Sequence, residues 1–404
     1  MPVPTQQTGT LDRAEPTDVP GQGVCRSISR VYRRLVIDHF RGLRRLEIPD
    51  LAPVTLLSGR NNTGKTAVLE ALFLHACGPR AAQFALTGLR PFRGAGFINI
   101  EISSDSSPWD SLFYDRDIKR PIRITGNVNE VETTVELAVR DDDILYPNQP
   151  SIQSPSNTPG GGAHSHSIEI RIGHHESVER FTQTVVPQAF AQAVAGPSGV
   201  QQMTGLSFQL DPPGEPLVQS QFLSSRSHMT QGELAQRYSN LKRRKRDREF
   251  LEALKAVEPA IRGLEVLVSE GQPTIHLDLG LETLLPLSLL GEGMSAAAEY
   301  ATSIFEYRGG LILIDEFENG IHHSVLADLW VKIRRAVERT GTQVIASTHS
   351  RECVAAAYEA FQKQPHMLRL LRLRGSKESP AANSVTEYDI ESLEGALEMN
   401  LDVR

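Results

Sequence analysis

Cysteine is scarce: Cys25, Cys77 and Cys353 are scattered through 404 residues with no C-x-x-C spacing. That excludes a cysteine-built zinc site and fits a reducing compartment. Long apolar runs are missing too. No stretch approaches the roughly 20 residues of a bilayer-spanning helix, and the first residues lack an apolar signal core. A cytoplasmic location without a membrane partner is the expectation. Nor is there an excess of positive charge. A formal net charge of −7 argues against indiscriminate coating of nucleic acid, while leaving room for a local basic patch. Hydrophobic residues make up 40% of the chain, enough for one large domain with an insertion or for two domains.

What is present centres on SGRNNTGKT, Ser58 to Thr66, preceded by the apolar run Val54 to Leu57 and followed by KTAVLEALFLHA. Gly59, Gly64, Lys65 and Thr66 fill the pattern G-x-x-x-x-G-K-[ST], with Arg60, Asn61, Asn62 and Thr63 between. In this pattern backbone N–H groups wrap phosphates, the lysine reaches the outer phosphates and the hydroxyl binds Mg²⁺. Val68, Leu69, Leu72, Phe73 and Ala76 form a helical stripe, so the helix N-terminus points its partial positive charge at the same phosphates. No guanine-reading N-K-x-D follows the loop, which disfavours GTP.

Residues 1–28 are rich in Pro, Gly, Thr and Gln without periodicity and are expected to form a disordered leader. From Tyr32 two short strands lead into the strand before the phosphate loop, with Arg33, Arg34, Arg41, Arg44 and Arg45 as a solvated edge. FINIEIS, PIRIT and VETTVELAV then suggest an antiparallel sheet. Asp141 to Gly162 is loop-like, SIEIRI and FTQTVV resume strand patterning, and Gln188 to Gly214 again looks irregular. His164, His166, His174 and His175 lack a carboxylate or cysteine in ligand spacing and are expected as exposed loop histidines. Gly232 to Glu258 is expected as one helix ended by Pro259, and its middle, LKRRKRDRE, admits two readings: a solvated face or a phosphate-backbone contact. No aromatics interleave it, so stacking on single strands is not suggested.

LEVLVS, TIHLDL and LPLSLL are three further expected strands. The last runs into a helix opened by Gly291, Glu292 and Gly293, a second candidate anion site. LILI then ends in Asp315 and Glu316. An aspartate there can hold Mg²⁺ opposite Thr66, and the adjacent glutamate can orient or deprotonate a water. A helix over Ser324 to Arg339 and the strand TQVIAS lead to Thr348, His349 and Ser350, where His349 can sense a γ-phosphate because ligands in open α/β sheets sit at carboxyl ends of strands. The tail offers two strands and a short helix.

Taken together, FRGLRRLEI, GRNNTGKT, LLGEG, ILIDEFENGIH and STHS resemble the ABC-type ATPase heads of the SMC/RecF superfamily, most closely the ATPase domains of OLD-like (overcoming lysogenization defect) proteins of the AAA family. The resemblance covers Tyr32 to about Ala76 and Leu285 to Arg404. It implies an α/β P-loop NTPase of ABC/SMC-head type, with a mostly parallel core sheet, an antiparallel β subdomain and a helical insertion. The expected division is 29–140 and 261–404 as the two halves of the head, with 141–260 inserted. It also implies ATP and Mg²⁺ as cofactors, Lys65 on phosphates, Thr66 and Asp315 on the metal, Glu316 on the water and His349 on the γ-phosphate. Gly291, Glu292 and Gly293 would act in trans in an ATP-dependent homodimer. Leu290 stands where the family has serine before the glycine pair, and long coiled-coil heptads are missing. About fifty residues follow His349, too few for the separate nuclease domain OLD-like proteins often carry. The functional expectation is an ATPase whose cycle closes a dimer, in DNA maintenance or antiphage defence with DNA or a separate effector protein as partner. The alternative is a slow-turnover interaction protein that uses bound ATP as a switch.

Overall fold

A computed structural model describes residues 30–81, 109–140, 166–174, 177–191, 202–211, 214–224, 229–269, 271–375, 383–399 and 403. The expected leader, the FINIEIS strand and the loop over 141–162 lie outside these residues, as do His164 and His175.

Six strands make the central sheet: β3 (Val54–Ser58), β9 (Ser220–Leu223), β13 (Leu311–Ile314), β14 (Gln343–Ser347), β15 (Leu368–Arg374) and β16 (Ser384–Tyr388). Their order is β16-β15-β3-β14-β13-β9, parallel except for β16. VTLLS, LILI and QVIAS are buried at every position, as expected for parallel strands covered on both faces. Alternate residues serve opposite layers. Leu56, Ile312, Ile314 and Val344 pack towards the later helices, while Leu57, Leu311, Leu313 and Ile345 pack towards helix α1 (Lys65–Cys77) and a second sheet. Helix α1 is therefore buried nearly all round rather than along the expected single stripe, leaving Thr66 exposed at its first turn.

The second sheet is antiparallel, in the order β2-β1-β4-β5-β6-β7-β8. Its strands are β1 (Tyr32–Phe40), β2 (Leu43–Ile48), β4 (Ile122–Val128), β5 (Val131–Arg140), β6 (His166–His174), β7 (Ser177–Ala191) and β8 (Gln202–Asp211). The stretch from Gln188 is not irregular throughout: Gln202–Asp211 pairs with β7, its Leu206, Phe208 and Leu210 alternation having been obscured by the surrounding Gly, Pro and Gln. His166 and His174 lie in a strand rather than a loop, and among the described residues no group of three or more His, Cys, Asp or Glu side chains could hold a metal.

Helices α2 (Gln231–Arg243), α3 (Asp247–Leu254), α4 (Glu292–Glu306), α5 (Leu326–Thr340) and α6 (Arg351–Phe361) cover the other face with a small sheet of β10 (Gly263–Ser269), β11 (Gln272–Asp278) and β12 (Leu285–Pro286). Helix α7 (Ile390–Glu398) closes the fold. The single helix expected over Gly232 to Glu258 is two. A Thr230–Glu233 capping box starts α2, and Lys245, at φ 57°, breaks it from α3. The expected LPLSLL strand stops at Pro286, because proline removes the ladder donor, and Leu287–Leu290 becomes a 3₁₀ turn.

The two large sheets are stitched by buried polar groups. Gln343, at the start of β14, accepts at Oε1 from Tyr32 N (2.8 Å) and donates from Nε2 to Tyr32 O (2.9 Å) and Ala52 O (3.0 Å). His75 on α1 donates from Nε2 to Thr133 O (2.9 Å), so its Nδ1 accepts from the Tyr32 hydroxyl (2.8 Å). This neutral tautomer fits complete burial, which pushes the imidazole down to about 4. Replacing Gln343 with Ala would take this side-chain partner from the Tyr32 N–H and C=O in the core, while Ala52 O keeps a hydroxyl donor in Thr55 Oγ1 (3.3 Å). The expected loss is about 3 kcal/mol of unfolding free energy in urea titrations, and a change below about 0.5 kcal/mol would show that water or a backbone shift takes over these bonds.

Candidate nucleotide site

The phosphate loop leaves the carboxyl end of β3 with Gly59 at φ 149°, Asn62 at φ 63° and Gly64 at φ 97°. Glycine is required at both ends. A Cβ on Gly59 would stand 2.7 Å from Leu373 O and from Thr63 Oγ1, and one on Gly64 2.8 Å from Leu43 Cδ2. Asn62 is the side chain that best tolerates the remaining left-handed position. Thr63 Oγ1 donates to Arg60 O at 2.9 Å and holds the turn, while Arg60 and Asn61 are exposed. Lys65 curls into its own loop, with Nζ donating to Gly59 O (2.7 Å) and Arg60 O (3.0 Å). Burial lowers its ammonium from the usual value, opposed by Asp315, Glu318 and Glu316. The cation is thus held, partly desolvated, where the loop would wrap an anion.

At the end of β13 the Asp315 carboxylate accepts from Thr66 Oγ1 (3.1 and 3.2 Å to its two oxygens) and from Ser347 Oγ (2.6 Å). Three strands, β3, β14 and β13, therefore bring the hydroxyl of Thr66 and the carboxylate of Asp315 to one point. Burial raises the Asp315 carboxyl, the hydrogen bonds from Ser347 and Thr66 oppose it, and Glu316 adds to it. An alcohol and a carboxylate are hard oxygen donors of the kind Mg²⁺ takes, and a cation between them would offset the cost of burying the charge. The residues present fit that ion. Glu70, one turn along α1, pairs with Arg41, so Arg41 is not part of a merely solvated edge. Burial outweighs the arginine, and with help from Asp315 it pushes Glu70 up to about 7.

Glu316 has a left-handed backbone, φ 53°, and its N–H donates to Ser347 Oγ at 2.8 Å. Such a conformation costs about 1 kcal/mol or more for a non-glycine residue and aims the side chain away from the strand direction. His349 follows β14 and is half exposed, with Nδ1 3.1 Å from Glu318 Oε1. The same oxygen accepts from His349 N (2.8 Å) and Ser350 N (3.1 Å). Sequence reasoning missed Glu318 and Ser347, which fix His349 and Asp315. Nothing local distinguishes Glu318 from an acidic turn residue, although its spacing two residues beyond Glu316 was visible.

Gly291, at φ 87°, caps α4, and the position of a Cβ there is open to within 4 Å. Gly293 is not open. A Cβ on it would meet Gly320 O at 2.8 Å, so the start of α4 packs tightly on the turn that follows Glu318. Glu292 is exposed, and Leu289, just before the glycines, is 70% exposed.

Against known proteins, residues 54–355 match the family model described as “AAA domain, putative AbiEii toxin, Type IV TA system”. No curated protein sequence matches the chain. Among solved structures it is similar to an SMC head bound to the C-winged helix domain of ScpA, at 13% identity and a TM-score of 0.45, covering 91% of this chain and 100% of that one. The SMC head domain from Thermotoga maritima gives 12% identity and 0.39 over 89% and 99%. An Smc head with an extended coiled coil, bound to the C-terminal domain of ScpA derived from Pyrococcus furiosus, gives 11% and 0.43 over 91% and 99%. The matched span holds the phosphate loop, the Asp315–Glu316 strand end and His349 on an α/β P-loop NTPase fold, and the chain belongs to this AAA domain family.

Proposed function

We propose that this chain is a Mg²⁺-dependent ATPase whose nucleotide cycle closes and opens a homodimer. The observation that carries the reading is the meeting of the Thr66 hydroxyl with the Asp315 carboxylate beside a glycine-hinged loop and its buried Lys65. Lys65 would exchange its two carbonyl partners for phosphate oxygens, and the backbone N–H groups of residues 59–66 would wrap the same phosphates. Thr66 and Asp315 would ligate the metal, which when bound neutralises phosphate charge. Glu316 would take a proton from a water as the water oxygen bonds to the γ-phosphorus and the bond to the bridging oxygen breaks. His349, its Nδ1 and backbone held by Glu318, would in its doubly protonated form donate from Nε2 to a γ-phosphate oxygen. Exposed Leu289 and Glu292 with Gly291 form the face offered to a second copy, where a glycine-flanked helix start would complete the opposing site.

A setting in DNA maintenance or antiphage defence with a separate effector is the biological form of this proposal, and the family's description as a toxin of a TA system supports action with a partner. The competing use of the same site is a switch that holds ATP and turns over slowly. Turnover measured with and without duplex DNA separates the two.

Lys65→Ala should abolish tight ATP binding in isothermal titration while leaving the circular dichroism spectrum unchanged, since it removes a charge from a loop and little core volume. Parent-like affinity would remove the loop from nucleotide binding. Glu316→Gln should keep ATP binding, lose hydrolysis and accumulate as an ATP-dependent dimer in light scattering, because the amide keeps the size of the carboxylate but takes no proton. Adding Leu289→Arg should return that variant to monomer. A second-face probe at Gly293 would be ambiguous, because any side chain there strains the chain's own fold. Glu318→Ala should lower kcat about tenfold with little change in the KM for ATP, and Glu318→Gln should recover to within about twofold, since the amide oxygen still accepts from both backbone N–H groups. Equal rates in all three proteins would leave Glu318 without a positioning role.

A further inference from the structure

The basic run singled out in the sequence has no part in the nucleotide site, and the structure gives it a partner. Lys245 and Arg248, at the α2–α3 break and the start of α3, face Lys332, Arg335 and Arg339 of α5 across a cleft of about 430 Å³. Glu249 and Glu252 are the acids in its wall. They pair with Arg339 (2.9 Å) and Lys332 (3.5 Å), leaving Lys245, Arg248 and Arg335 without an ion pair among the described residues. A protein with a net charge of −7 thus gathers five cations against two carboxylates in one concave surface.

Two features distinguish this cleft from an ordinary solvated face. Lys245 occupies the left-handed turn position, φ 57°, where glycine is the usual residue, and it ends α2 through its N–H to Lys242 O (2.9 Å). Arg308 donates to Arg339 O at 3.1 Å. Burial lowers its guanidinium below the usual value, and Arg246 and Arg339 lower it further against the opposing pull of Glu249. Five cations share this one concave surface, an arrangement that a polyanion would neutralise. The cleft also lies away from the phosphate loop. Arg308 precedes β13 and Arg339 precedes β14, whereas Asp315 and His349 follow the other ends of those parallel strands.

We infer that this cleft binds the phosphodiester backbone of a nucleic-acid duplex. Arginine and lysine spread over two elements suit a row of phosphates. The one aromatic in the wall, Phe305, is buried and offers no face for stacking unpaired bases. Among the described residues none of the exposed large hydrophobics lines the cleft as an anchor for an acidic protein segment. The inference stands whether or not the chain hydrolyses ATP.

The test is fluorescence anisotropy of the full chain with a labelled mixed-sequence DNA duplex across a salt series. The parent should bind with a linear fall of log K against log salt. Lys245→Gln, Arg248→Gln and Arg335→Gln combined should weaken binding at least tenfold and reduce the magnitude of the slope by about 2 to 3, the counterions released by three phosphate contacts. A charge-matched control, Arg44→Gln, Arg45→Gln and Arg116→Gln, all exposed on other elements, should bind like the parent. Three results would overturn the inference: no duplex binding by the parent at 50 mM salt, equal losses in both triple variants, or polyglutamate displacing the duplex at equal charge concentration. The last would reassign the cleft to an acidic protein.

Discussion

The Asp315 carboxylate is the point on which the site depends. It closes three strand ends together: its own, that of β3 through Thr66 and that of β14 through Ser347. Burying a charge in this way is costly, and two hydroxyl donors return only part of its lost hydration. The raised carboxyl shows which side of that balance wins. The sign follows directly. A folded value above the unfolded one means that the ionised form is less stable inside, so this group contributes most to stability at low pH and loses that contribution as pH rises through its folded value. A cation held by the same oxygens reverses the sign, because it replaces lost solvation with direct charge.

Part of the chain's left-handed backbone stands at the same point. Asn62 and Glu316 are left-handed without being glycine, and Gly59 and Gly64 stand where any side chain would strike Leu373, Thr63 or Leu43. Gly293 and Gly320 let α4 approach the turn after Glu318. That turn carries Phe317 into a stack with Tyr300 and Trp330, at centroid distances of 5.2 and 3.9 Å. Seven consecutive residues, 315–321, therefore hold the buried Asp315 carboxylate, the left-handed glutamate, an aromatic anchor of the helical layer, the Glu318 clamp on His349 and the contact with α4. Because these contacts are packed and hydrogen-bonded, the segment cannot shift at one point without disturbing the others.

The parts legible in the sequence were those whose physics is local. A phosphate loop needs its glycines, lysine and hydroxyl within nine residues, and the strands LILI and QVIAS announce burial by being apolar throughout. Gln343 and Glu318 were not legible, because each acts on a backbone brought close by the fold: Tyr32 in one case, His349 in the other. β9 has only four residues in a glycine- and proline-rich region, and its strand character comes from pairing with β13. The stretch 232–258 looks like one continuous helix in sequence because Lys245 is not a helix breaker by composition. Only its turn geometry, closed by Arg246 N to Leu241 O at 2.9 Å, makes it one.

Helix α4 fixes the separation of the two charged regions. It starts at Glu292, just after the Gly291 cap, and its next-to-last residue, Phe305, lines the basic cleft. Its 15 residues span about 22 Å at 1.5 Å per residue. At about 0.1 M salt the screening length is about 10 Å, so the cations of the cleft contribute little potential at the other end of that rod. Any influence of one region on the other must therefore pass through packing. α4 offers such a route, since its first turn touches Gly320 and its last is buried between α3 and α5. A rigid helix transmits translation and rotation, not charge.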